Sequence, residues 1–147
     1  MRVGQYRELA PESGGEADKR SVHIGMANYQ DASLTDLPGA ANDANIMASR
    51  FKAKGFEPER RIDVGVAEMR EVIAGGLEGL GRDDHLIVTY SGHGYASSAL
   101  GVTGVDTKSH EEAPVYRWDE FVALARMALG RAVHIQIVID ACHAGNA

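Results

Sequence analysis

Short apolar runs alternate with longer amphipathic segments between residues 22 and 139, and this alternation limits the possible fold more than any other feature. Short apolar runs are typical of buried strands, and apolar residues at helical spacing are typical of helices that cover a sheet. The pattern predicts strands at residues 22–27, 56–64, 85–90 and 133–139, and helices at residues 40–51, 69–80 and 118–128. Strands that alternate with helices indicate a mainly parallel sheet with helices on its faces. We therefore predict an α/β fold.

The segments outside this pattern set the domain limits. Residues 1–20 are polar and without a clear period, so we expect a flexible N-terminal lead-in before one domain at residues 21–147. Pro58 interrupts the second predicted strand, which indicates an edge position in the sheet. Gly55 and Gly130 are expected to end the first and third helices. Residues 94–114 are rich in Gly, Ser and Thr and predict a loop or a short hairpin.

Charge and cysteine content exclude several classes of protein. The chain of 147 residues has 15 Lys plus Arg and 21 Asp plus Glu, a net charge of −6, which argues against nucleic acid or a membrane surface as a partner. The single cysteine, Cys142, excludes an intrachain disulfide and a Cys-rich zinc site. No apolar run approaches the roughly 20 residues of a membrane span, and no signal-peptide pattern is present. We expect a soluble protein of the cytoplasm, a reducing compartment, with no cofactor.

Two polar segments follow predicted strands. Residues 91–94 (SGHG) follow the third strand, and residues 140–145 (DACHAG) follow the fourth. Ligands of open α/β sheets bind beyond the carboxyl ends of strands, so His93 and Cys142 would share one crevice if these strands are neighbours. An imidazole beside a thiol prepares it to attack a carbonyl group. Gly92 and Gly94 would let the backbone turn sharply, and the amides of Gly94 and Cys142 would donate to the developing oxyanion.

Each of these residues also has an ordinary structural role. A single cysteine is often a small buried hydrophobe, and a histidine between glycines is often a turn residue. Asp140, His134 and His143 would equally solvate a loop or cap a helix. Residue spacing alone leaves both interpretations open.

Three segments after the first strand carry a family resemblance: residues 37–44 (LPGAANDA), 90–94 (YSGHG) and 140–145 (DACHAG). With them, residues 22–145 resemble the large subunit of the caspase-like cysteine peptidases (clan CD), closest to the bacterial metacaspases and orthocaspases. The histidine and the cysteine are 49 positions apart, close to the roughly 50 positions of caspases. Asp140 stands where caspases have Gln, and His143 follows the cysteine, which is the metacaspase pattern.

The resemblance implies a cysteine endopeptidase (a hydrolase) that cleaves proteins or peptides after Arg or Lys through a thioester acyl-enzyme. Cys142 would be the nucleophile, His93 the general base and then acid, and the amides of Gly94 and Cys142 the oxyanion hole. Calcium-dependent members hold the ion with an acidic cluster after the histidine. Residues 95–114 contain only three acidic residues, without convincing ligand spacing, so we expect no metal.

The resemblance also implies a specificity pocket lined by Asp43, Ser91 and Asp140. Two carboxylates in one pocket repel each other unless a cation joins them, so the pocket should favour a basic side chain and reject aspartate. Asp43 keeps an alternative role, because an Asn-Asp pair at the start of a helix is a common cap.

The family fold is a three-layer sandwich with six main strands, of which this chain would supply four in the order 2-1-3-4. The last two strands would come from a small subunit or a C-terminal fragment, produced by processing after Gly145 or by separate encoding, or missing through disorder. Two rivals remain open: a catalytically idle caspase-like scaffold or regulatory module, and a ligand-binding domain with a structural cysteine. Some bacterial members serve in antiphage defence or programmed death, and nothing in the sequence assigns that role here.

Overall fold

Every predicted strand and helix has a counterpart in the computed structural model, which describes residues 16–96, 100–109 and 114–142, the last residue by its backbone alone. In chain order the elements are β1 (Lys19–Gly25), α1 (Pro38–Ala53), β2 (Glu57–Ile62), α2 (Val66–Leu77), β3 (His85–Ala96), β4 (Leu100–Thr103), β5 (Val115–Arg117), α3 (Trp118–Gly130) and β6 (His134–Cys142). The predicted α/β class is confirmed. Residues 1–15 of the expected lead-in and the expected processing segment after Gly145 lie outside the described residues.

The main sheet has four parallel strands in the order β2-β1-β3-β6, which confirms the predicted order. Among the described strands β2 pairs only with β1, so the strand that contains Pro58 lies at an edge as predicted. β3 is central, because it pairs with β1 over residues 85–91 and with β6 over residues 85–93. The Gly-rich segment adds β4 and β5, which continue from β3 as antiparallel pairs.

β3 and β6 extend further than the sequence predicted. β3 continues to Ala96 and β6 to Cys142, so Gly92 and Gly94 lie within a strand. Among the described glycines, positive φ angles occur only at Gly55 and Gly79, and the expected sharp turn after Tyr90 is therefore wrong. The reason is pairing between distant segments: β6 remains parallel to β3 through residue 142, and β4 pairs with β3 from residue 94 onward.

The sheet lies between α1 on one face and α2 and α3 on the other, which is the predicted three-layer arrangement. On the first face, the ring of His23 stacks on Phe51 of α1 with centroids 5.6 Å apart. On the opposite face, the side chains of Val22 and Leu86 lie beside Gly76 of α2. α3 adds three buried residues to the same apolar core: Phe121, Leu124 and Ala128. α1 ends before Gly55, whose φ of +91° fits the predicted helix end.

A fully buried histidine joins β1 to β3 beneath α1. The ring nitrogens of His23 lie 2.7 Å from Ser21 Oγ and 2.8 Å from Thr89 Oγ1. Burial lowers the pKa of His23 to about 4, so the ring is neutral at pH 7. A neutral imidazole donates through one nitrogen and accepts through the other, and each hydroxyl can meet either need.

Acidification should destabilise the fold through His23. Its pKa is 6.5 in the unfolded chain and about 4 in the folded protein. The contribution of neutral His23 to the free energy of unfolding is therefore fully present above pH 6.5 and falls as the pH drops toward 4. At about 1.36 kcal/mol per pKa unit, the loss between pH 7 and pH 5 is roughly 2 kcal/mol. Urea unfolding at both pH values measures it. His23→Gln, which binds no proton in this range, should lack this part of the loss; an equal loss in both proteins would contradict the role of His23.

Candidate active site

The C-terminal parts of β3 and β6 bring residues 91–93 and 140–142 of the two polar segments side by side. In the parallel register, Ser91 lies opposite Asp140, and His93 lies opposite Cys142. Neighbouring strands are about 4.8 Å apart, so the main chains of His93 and Cys142 are adjacent. The condition set by the sequence, that these two strands are neighbours, is met.

Asp43 approaches the same end of the sheet from α1. The helix begins at Pro38, so Asp43 lies in its second turn, and its carboxylate accepts a 2.8 Å hydrogen bond from the Ser91 hydroxyl. The N-terminus of α1 has no side-chain cap, so the alternative role of Asp43 as a helix cap is wrong. Asp43 instead joins α1 to β3 at the sheet end.

Two cavities share Asp43, Ser91 and Asp140 among their lining residues. One, of about 330 Å³, lies between α1 and β6 and is also lined by Met47 and Arg50. The other, of about 310 Å³, is bounded by the start of α1. Arg50 was not among the site residues predicted from the sequence. The available signal was helix periodicity, since residues 43, 47 and 50 of one helix share a face.

The imidazole of His93 is buried and held by a main-chain carbonyl. Its Nε2 lies 2.7 Å from the oxygen of Thr35. A carbonyl oxygen can only accept a hydrogen bond, so Nε2 carries the proton, and Nδ1 is the basic nitrogen of the neutral ring. This arrangement suits a histidine that takes a proton from a neighbouring group.

Tyr90 and Gly92 together hold the main chain of His93. The Tyr90 hydroxyl donates to the His93 carbonyl at 3.0 Å. A Cβ on Gly92 would lie 2.5 Å from the Tyr90 oxygen, so only glycine at position 92 leaves room for this contact. The sequence predicted a turn at Gly92, but the role of this glycine in the structure is close packing.

Two residues of the loop between β1 and α1, Tyr29 and Thr35, contact His93. Asp63 anchors this loop. The Asp63 carboxylate accepts hydrogen bonds from the main chain of Ala27 at 2.7 Å and of Asn28 at 3.0 Å, and from the Asn28 side chain at 2.8 Å. Burial alone would raise the pKa of Asp63, but these hydrogen bonds outweigh it and lower the pKa. Asp63 therefore stays ionised at neutral pH and keeps the loop in place.

The predicted oxyanion donors lie next to the His93–Cys142 pair in the sheet. Gly94 follows His93 in β3 and pairs with Val102 of β4; its role, like that of the Cys142 amide, stays a prediction. Within the described ranges, no three His, Cys, Asp or Glu side chains are grouped as ligands of one metal ion. No helix in that part of the chain is long and apolar enough to cross a bilayer.

A family model described as the caspase domain of peptidase family C14 matches residues 18–147. No curated protein matches the chain. Among solved structures, the crystal structure of a protein from Geobacter sulfurreducens matches with a TM-score of 0.64 and 24% identity, over 86% of this chain and 51% of that one. At this identity the likeness concerns the fold alone. The chain spans about half the length of the Geobacter protein.

Gly92→Ala should destabilise the protein and displace Tyr90. The added methyl would lie 2.5 Å from the Tyr90 oxygen and 3.0 Å from Met26 Cβ, so buried groups must move. Overpacking of this kind costs about 1–3 kcal/mol, which urea unfolding measures. Gly75→Ala adds the same methyl to α2 with no atom within 4 Å, and it should keep or increase stability because alanine favours helices. Equal stabilities of the two variants would contradict close packing at Gly92.

Proposed function

This chain belongs to the caspase-domain family, and we propose that it is a cysteine endopeptidase that cleaves protein or peptide chains after Arg or Lys. The observation that carries the proposal is the cavity lined by both Asp43 and Asp140, next to the strand ends where His93 and Cys142 pair in register. A nucleophile and a base beside an acidic cavity suit attack on a peptide bond that follows a basic residue.

In the proposed mechanism Cys142 is the nucleophile and His93 the base. Because Nε2–H of His93 bonds to Thr35, Nδ1 takes the proton of the Cys142 thiol. The sulfur bonds to the carbonyl carbon of the substrate, the C–N bond breaks, and His93 gives its proton to the leaving amine. Water then attacks the thioester with His93 as base, and the acid product and the Cys142 thiol are released.

Charge that develops during this reaction needs partners at two points. The imidazolium of His93 strengthens its hydrogen bond to the Thr35 carbonyl, since a bond from a charged donor is stronger than a neutral one. The oxyanion of the tetrahedral intermediate would accept hydrogen bonds from the amides of Gly94 and Cys142. The adjacency of these two residues to His93 in the sheet supports this assignment.

The preference for a basic substrate rests on the charges that line the cavity. Asp43 and Asp140 carry two negative charges and Arg50 one positive charge, which leaves one negative charge for a substrate cation to neutralise. The Ser91 hydroxyl donates a hydrogen bond to one carboxylate oxygen of Asp43, and this bond fixes the orientation of that carboxylate. A planar guanidinium can bond two carboxylates at once, and an aspartate would meet repulsion.

We also propose that a small subunit or C-terminal fragment completes the sheet. Among the described strands β6 pairs only with β3, and Val138 on its α1-facing side is 37% exposed. The match covers only 51% of the Geobacter protein with the same fold, which leaves room for further strands in that protein. Such a partner would cover an open strand edge, which otherwise favours aggregation.

A peptide-cleavage assay tests the activity. Full-length protein, with any C-terminal fragment that copurifies, is mixed with fluorogenic peptides that have Arg, Lys or Asp before the scissile bond. We expect cleavage after Arg and Lys but not after Asp, and a loss of at least about 10³-fold in Cys142→Ala, because the nucleophile is removed. No cleavage of any peptide would favour an idle scaffold, and preferred cleavage after Asp would contradict the acidic pocket.

Removal of either cavity carboxylate should weaken the binding of Arg peptides. Asp43→Asn and Asp140→Asn keep the side-chain size but remove the charge. A hydrogen bond to a charged group contributes about 1.5–3 kcal/mol, so we expect KM to rise roughly 10- to 100-fold. Asp119→Asn removes the same charge from an exposed position on α3 and should leave kcat/KM unchanged. An equal loss in all three variants would assign the effect to net charge rather than to the cavity.

A further inference from the structure

On the edge of β3 that faces β1 and β4, the main chain of His93 lies in a gap between two strand pairings. β1 pairs with β3 as far as Ser91, whose carbonyl accepts a 2.9 Å hydrogen bond from Met26 N–H, and β4 pairs with β3 only from Gly94 onward. His93 is 4% exposed. A buried N–H or C=O group without a partner is costly. At this point in β3, side chains take over the role of a neighbouring strand.

Tyr29 and Thr103 close a ring of hydrogen bonds around His93. The N–H of His93 donates to the Tyr29 hydroxyl at 3.0 Å. The oxygens of Tyr29 and Thr103 are 2.9 Å apart, and the Thr103 hydroxyl lies 3.1 Å from the His93 carbonyl. The Tyr90 hydroxyl also lies 3.0 Å from the Thr103 hydroxyl oxygen. An N–H can only donate and a carbonyl can only accept, so a Tyr29 proton on the Thr103 oxygen and a Thr103 proton on the His93 carbonyl give one consistent direction around the ring.

Tyr29 contacts the side chain of His93 as well as its main chain. The two aromatic rings have centroids 5.0 Å apart at an angle of 37°. Burial raises the pKa of Tyr29, so its hydroxyl keeps the proton at neutral pH and remains able to donate a hydrogen bond. One residue therefore limits both the backbone position and the ring orientation of His93.

We propose that Tyr29 is a positioning residue for His93, with Thr103 as its hydrogen-bond partner. Together they keep the imidazole where Nε2–H bonds to Thr35, which leaves Nδ1 as the proton acceptor. This inference rests on the proposed cysteine peptidase function. Neither residue lines the two cavities that share Asp43, so their loss should affect proton transfer and leave substrate binding unchanged.

Tyr29→Phe tests the proposal, because it keeps the aromatic ring and removes only the hydroxyl. In full-length protein we expect kcat for an Arg peptide to fall about 10- to 100-fold, as for a displaced catalytic group, with KM unchanged. Tyr116→Phe removes a hydroxyl from another buried tyrosine, in β5, and should keep the wild-type kcat. An unchanged kcat in Tyr29→Phe, or an equal loss in both variants, overturns the proposal.

A second measurement needs no enzymatic activity. Side-chain ¹⁵N NMR of His93, assigned with His93→Gln, reports which ring nitrogen carries the proton. We expect the single Nε2–H tautomer in wild type and in Tyr116→Phe, and a mixture of both tautomers in Tyr29→Phe. If wild type cleaves no peptide, the proposed function fails, and this measurement still decides the positioning role. An unchanged tautomer in Tyr29→Phe overturns that role.

Thr103 offers a second way to break the ring if Tyr29→Phe does not fold. Thr103→Val keeps the branched shape and removes the hydroxyl, whereas Thr103→Ser keeps the hydroxyl. We expect the tautomer mixture and the reduced kcat in Thr103→Val, and wild-type behaviour in Thr103→Ser. Identical behaviour of these two variants shows that the hydroxyl is not the cause and overturns the proposal.

Discussion

Parallel hydrogen bonding along both edges of β3 determines what each of its side chains faces. Side chains alternate between the two faces of a strand, so Thr89, Ser91 and His93 share the side covered by α1, and Leu86 and Val88 share the opposite side. A slip of one residue would exchange these two sets. The same register pairs His93 with Cys142 and Ser91 with Asp140. One set of backbone hydrogen bonds therefore specifies the core and the candidate site together.

The two faces of the sheet have different tasks. The face toward α2 and α3 is apolar, and each fully buried Val, Ile or Leu side chain contributes about 1.5–3 kcal/mol. The face toward α1 carries a row of buried polar residues: Ser21, His23, Thr89, Ser91 and His93. Such groups contribute little net stability and must be paired, and within the described residues every buried side-chain nitrogen and oxygen has a partner. Because the apolar face stabilises the fold, the polar face is free to carry chemistry.

The sequence predicted features that local pattern controls and failed where distant segments decide. Periodicity predicted each helix and each strand of the main sheet, because apolar runs fill the core wherever they occur, and the family resemblance implied the strand order. The SGHG segment indicated a turn, but pairing with β4 and β6 holds it extended. From the sequence, Asp43 could have been a helix cap or a pocket residue. Its hydrogen bond to Ser91, 48 positions away, places it at the end of the sheet. Tyr29 gave no signal, since a tyrosine near an apolar run is typical of ordinary core.

The two carboxylates of the cavity belong to different elements, Asp43 to α1 and Asp140 to β6, and β3 is the structure that joins them. Ser91 bonds to one and pairs in register with the other. β6 has β3 as its sole partner among the described strands, so the geometry of the carboxylate pair depends on how firmly β6 is held. The proposed partner would cover the edge of β6, stabilise this geometry and so favour a bound cation. Coupling between two binding events is reciprocal, so a cation that joins the carboxylates strengthens partner binding by the same factor. In the proposed peptidase, substrate recognition and completion of the sheet are therefore one thermodynamic linkage, transmitted by the register of β3 and β6.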